Sequence, residues 1–152
     1  MAKKRLYNLI EEVWSSVSDS QISVADDADH PGVESLEWLV KVPIGGEHNN
    51  KSVVLGVAEE VGRELAADMF GKSPQQLSDS DIEDAVGEIA NMIAEGIKVL
   101  LGSSESIGLP QSVSKQLIRE QLQRCEVKTD LFVLSAQRYI YVAVMDCTLI
   151  KH

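Results

Sequence analysis

The sequence predicts an α/β protein of the α+β type, an antiparallel sheet built from two hairpins with helices packed on it. Three observations carry that prediction. Apolar residues alternate over 36–42 and return over 53–57 after a stretch rich in glycine and asparagine. The run Tyr139-Ile140-Tyr141-Val142-Ala143-Val144-Met145 is apolar on both parities and follows a second β-rich run. Several other segments place apolar residues at helical spacing.

In chain order, residues 3–17 form the first amphipathic helix, with Leu6, Ile10, Val13 and Val17 on one stripe. Residues 18–34, with Ser18, Asp19, Ser20, Asp26, Asp27, Asp29, Pro31 and Gly32, form an acidic loop. From Ser35 a strand follows, Leu36, Trp38, Val40 and Val42 buried, Glu37, Leu39 and Lys41 turned outward. The turn Gly45-Gly46-Glu47-His48-Asn49-Asn50 tolerates positive φ and leads to a strand over Val53–Val57.

A second helix covers 59–70, with Val61, Leu65 and Met69 inward and Gly71 closing it. After Pro74 and the Ser78–Ser80 run, Ser80-Asp81-Ile82-Glu83 reads as a capping box, and a long helix continues to Leu101 and stops at Gly102. Asp81, Glu83 and Asp84 suit the positive end of its dipole. On a wheel of about 100° per residue, Ile82, Val86, Ile89, Ile93, Ile97 and Leu100 fall within roughly 80°. Residues 103–111 are a loop with Gly108 and Pro110. Residues 112–124, with Val113, Leu117 and Leu122, form a short helix, and 128–136 and 139–149 are strands around Gln137-Arg138.

Length and composition fit one domain, 1–152, of an ordinary globular kind: 44% hydrophobic and 25% charged. A net charge of −10 and a pI near 4.7 disfavour nucleic-acid backbones and anionic membranes. Cys125 and Cys147 have no metal spacing and read as reduced thiols of a cytoplasmic chain. The apolar run after Met1-Ala2-Lys3-Lys4-Arg5 is broken by Asn8, Glu11 and Glu12, against an export signal. No stretch approaches the roughly 20 apolar residues of a membrane span.

The candidate chemistry lies on the long helix. Glu88 and Asn91 stand one turn apart, opposite the apolar stripe, with Asp84, Glu95 and Lys98 beside them. Glu-x-x-Asn alone is a weak signal; a second copy, Glu47 to Asn50, lies in the hairpin turn and reads as turn chemistry. Asparagine is a mediocre helix former, costing several tenths of a kcal/mol (roughly) against alanine. Its place in the middle of a well-made helix therefore needs a reason. Other clusters have plainer readings. His30 with Asp26, Asp27 and Asp29 lacks ligand spacing and reads as an acidic loop. Ser103, Ser104 and Ser106 have no nucleophile elbow, and Gly45-Gly46 is followed by no Lys-Ser/Thr pair. Trp38 reads as core.

The segment Asp84-Ala85-Val86-Gly87-Glu88-Ile89-Ala90-Asn91-Met92-Ile93 resembles the Asp/Ser-x-x-x-Glu-x-x-Asn signature of the CheC/CheX family of chemotaxis phosphatases. The likeness extends from the strand pair at 36–57 through Pro110 to the C-terminal hairpin. One helical copy of the motif makes the chain most similar to CheX. Glu95 stands where many members have glycine, and Pro110 follows Asn91 at a shorter interval than the family's proline. The resemblance implies a CheC-like fold and a homodimer acting as a phosphatase on phosphorylated CheY-like response regulators. Asn91 would orient the attacking water and Glu88 would pair with the regulator's lysine. Asp84, Glu95 and Lys98 are candidate partner contacts, although charges on a helix face more often serve solubility. No cofactor of the chain's own is implied, since Mg²⁺ belongs to the phosphorylated partner's site. The alternative is a CheX-like binding module that docks on a signalling protein without catalysis.

Overall fold

The computed structural model describes residues 1–25, 32–45 and 50–148. Helix α1, Lys3–Val17, buries Leu6, Ile10, Val13 and Trp14. Trp14 therefore takes the place expected for Val17, which is only partly covered at the helix end. There Ser18 turns extended, and its hydroxyl donates to Asp68 at 2.6 Å.

The segment expected as an acidic loop contains strand β1, Ile22–Val24. Three residues are too few for a visible alternation, and the strand exists because its backbone pairs with a distant one. Asp26, Asp27, Asp29, His30 and Pro31 lie outside the described residues, as do Gly46, Glu47, His48 and Asn49 of the hairpin turn.

Strands β2, Trp38–Ile44, and β3, Lys51–Val57, form the expected antiparallel hairpin. Val40 and Val42 point into the main core, and Trp38 packs on its margin. Leu36 and Leu39 depart from the expected pattern. Leu36 lies between a short 3-10 turn, Gly32–Ser35, and the strand, and Leu39 has the opposite parity to Val40 and Val42. Both are buried in a second core behind the sheet.

Helix α2, Glu59–Phe70, ends on Gly71 at a φ of 64°, a left-handed conformation that glycine adopts without a Cβ penalty. Helix α3, Asp79–Leu100, is capped two residues before the expected Ser80. Ser78 is the N-cap: its hydroxyl accepts from Asp81 N–H, and Asp81 accepts from Ser78 N–H, each at 3.1 Å. With Ser78 as cap, Leu77 and Ile82 occupy the two positions of a hydrophobic staple, and both enter the main core. A cap at Ser80 would place no apolar residue before it. Ile82, Val86, Ile89, Ile93 and Ile97 are fully buried, whereas Leu100, counted in the same stripe, is 39% exposed. At about 1.5 Å per residue the helix outruns the shorter strands beneath it, and its last turn leaves the core.

The expected loop 103–111 also forms sheet. Strand β4, Gln111–Ser112, pairs with β2, and Ile107 bridges Ile44. Helix α4, Lys115–Arg124, is capped by Ser114 and buries Ile118, while Leu117 is exposed. Strands β5, Glu126–Ser135, and β6, Arg138–Asp146, meet at Ala136-Gln137, one residue earlier than expected. Both turn residues have positive φ, 47° and 65°, as a two-residue hairpin loop demands.

Among the described residues the sheet has the order β1-β5-β6-β3-β2-β4, antiparallel throughout. The two hairpins join through β3 and β6, and the short β1 and β4 extend the edges. Helices α1, α2 and α3 close the main core on one face; α4 and residues 33–36 close the second core on the other. Strand β6 is covered on both faces, as its composition required. Cys125 and Cys147, read as reduced thiols, are joined in a disulfide. They flank the Glu126–Asp146 pair at the open end of the β5–β6 hairpin, a proximity that only register creates. No helix of the described residues is long and apolar enough to cross a membrane.

Candidate functional site

Helix α3 is fixed in rotation by five isoleucine and valine side chains with no exposure, so its opposite face has one orientation. That face carries Asp84, Glu88, Asn91, Glu95 and Lys98, within roughly 80° of one another on the helical wheel. Asp84, Glu88 and Glu95 are exposed; Asn91 and Lys98 are half-buried. Asn91 is thus neither sealed in the core nor at the outermost edge. Its flanks are the buried Gly87, Ala90 and Ala94, small residues that leave the carboxamide uncovered.

Among the described residues, neither Glu88 nor Asn91 is engaged by a side-chain hydrogen bond or ion pair. A carboxylate with all its acceptor positions open and a carboxamide with one acceptor and two donor hydrogens therefore face outward together. Their spacing, one helical turn, brings their Cβ atoms to about 5–6 Å. Such a pair can grip a cation and position a polar small molecule. A carboxamide is not a base at neutral pH, so on Asn91's side the pair suits binding and alignment better than base chemistry.

The N-terminal half of this face borders a groove of about 460 Å³, lined by Glu83, Asp84 and Glu88 on the helix side and by Leu109, Pro110 and Ser112 opposite. Pro110 lies over Gly87, where an added methyl would meet it at 3.4 Å. Asn91, Glu95 and Lys98 continue along the helix outside the groove. Glu83 and Leu109 are the residues the sequence did not single out. Glu83 was assigned to the cap, and Leu109 lies in a segment without periodicity. Its neighbour Pro110 was the available signal. Among the described residues no three of His, Cys, Asp or Glu converge to hold a metal ion.

The family model for the chemotaxis phosphatase CheX matches residues 39–131, which include β2 but for Trp38, all of α3, Pro110 and most of β5. No curated protein is significantly similar in sequence. Among solved structures, the chain is similar to the chemotaxis protein CheX from Vibrio vulnificus, at 18% identity and a TM-score of 0.70 over 93% of each chain. It is also similar to CheX from Desulfovibrio desulfuricans, at 17% identity and a TM-score of 0.59, covering 94% of this chain and 97% of that one. A third likeness is to the CheX–CheY–BeF3–Mg²⁺ complex from Borrelia burgdorferi, at 14% identity and a TM-score of 0.60, covering 94% and 96%. At these identities the structural likeness establishes the fold.

Proposed function

Because the chain belongs to the CheX family, we propose that it hydrolyses the aspartyl phosphate of a CheY-like response regulator, with Asn91 aligning the water and Glu88 anchoring the partner. The observation that carries this reading is the outward, uncommitted pair Glu88 and Asn91 on a helix that cannot rotate. A relative of the same fold was crystallised with CheY, BeF3 and Mg²⁺, which supports a receiver domain as the partner.

An acyl phosphate is already activated, and Mg²⁺ in the regulator's own site offsets phosphoryl charge. What a partner adds is position. Asn91 Oδ1 accepts a hydrogen bond from the water and directs its lone pair along the line to phosphorus. The new P–O bond forms as the bond to the aspartyl oxygen breaks, leaving inorganic phosphate and a free carboxylate. The water's proton passes to phosphate or solvent, because a carboxamide does not take it at neutral pH. Glu88, ionised, pairs with the regulator's lysine and sets the depth of insertion. No metal of the chain's own is used.

The test is loss of labelled phosphate from a CheY-type regulator in Mg²⁺, with and without the chain. Acceleration is expected; docking without acceleration would instead identify a binding module. Glu88→Lys places like charges together and should weaken docking by about tenfold or more. Unaltered affinity in that variant would remove the lysine pairing.

A further inference from the structure

The groove beside Glu88 has one acidic wall and one apolar wall. Glu83, Asp84 and Glu88 supply the first, and among the described residues none of the three is in an ion pair. Three carboxylates on adjacent turns repel one another until a cation arrives. Leu109 supplies the second wall and is 81% exposed.

One exposed leucine is ordinary. This one is held from both sides. Gly108 N–H donates to Pro43 O at 2.8 Å, and Ile107 bridges Ile44. On the other side Pro110 rests over Gly87, and Gln111 and Ser112 pair with β2. The backbone that presents Leu109 is therefore fixed before any partner binds, so little ordering entropy opposes its use as an anchor.

Resting on the phosphatase reading, we infer that this groove receives a lysine- or arginine-bearing, partly apolar segment of the same regulator, beside its phosphoaspartate. The apolar part packs on Leu109, and the cation meets Asp84 and Glu83. Glu88 and Asn91 serve any receiver domain; the groove selects among receivers, since one lacking the cation leaves the carboxylates desolvated and unpaired.

The experiment uses the full chain and the CheY-type receiver domains of its source organism, each in the Mg²⁺–beryllofluoride form. Leu109→Ala and Asp84→Lys should each weaken binding of the preferred receiver by about tenfold, with a smaller salt dependence in Asp84→Lys. In dephosphorylation assays both should raise KM by a similar factor and leave kcat within about twofold. Equal binding by wild type, Leu109→Ala and Asp84→Lys would overturn the groove, whatever the phosphatase activity. A wild type that binds through the groove but accelerates nothing would overturn the catalytic reading and leave the groove standing. Failure of every receiver to bind would overturn both.

Discussion

Asn91 sits in a helix at a cost. It stands among isoleucines and alanines that favour the helix, and alanine in its place would be more favourable by about 0.5 kcal/mol. Since its side chain is half-exposed and uncommitted, Asn91→Ala should raise stability by about that amount in denaturant titration. A fall of more than about 1 kcal/mol would mean that the carboxamide supports the fold rather than a partner. The outward placement of Glu88 and Asn91 was legible because one periodic stripe fixes both faces of a helix. Leu109 was not legible in the same way. Its exposure depends on how residues 107–112 return to β2, which no local pattern records.

At the scale of the element, α3 depends on its cap as well as its stripe. Ser78→Ala removes the acceptor for Asp81 N–H and should cost about 1 kcal/mol. Asp81 responds to pH. The Ser78 N–H that it accepts, with Lys72 adding to it, holds its carboxyl below the usual carboxylate range. A depressed folded value means that the contribution is present above the unfolded value of about 3.9 and is lost as pH falls through the folded one. The stability gap between wild type and Asp81→Asn should therefore close in acid; a gap constant from pH 7 to 2 would contradict it. Two serines, Ser78 and Ser80, each precede a plausible helix start. Only the burial of Leu77 decides between them, and burial is tertiary. The turn at Ala136-Gln137 was expected one residue later, at Gln137-Arg138, for a related reason. Neither residue is a usual positive-φ former, so register alone forces the conformation.

Across the whole molecule, two cores share one sheet. The two hairpins and the doubly covered β6 could be read from alternation, because each strand's neighbours leave their mark on its parity. The edge strands β1 and β4 and the second core around Leu36, Leu39 and Ile118 could not. They exist through pairing and packing between segments far apart in sequence. The disulfide belongs to the same class: Cys125 and Cys147 are 22 residues apart and meet because β5 and β6 are in register. In the chain-entropy picture a loop of that length contributes about 3 kcal/mol. Cys125→Ser with Cys147→Ser should lower the unfolding free energy by about that amount and leave the Glu88–Asn91 face, on helix α3, unchanged in regulator binding. Parallel losses of stability and binding below the unfolding temperature would show that the two ends of the fold are coupled.

The most direct test of the account is phosphoryl release by Asn91→Ala at saturating regulator, beside its affinity for the Mg²⁺–beryllofluoride form. Loss of the aligning amide should cut the accelerated rate by about 100-fold with affinity preserved. Acceleration that survives the substitution undiminished would contradict the proposal that Asn91 places the water.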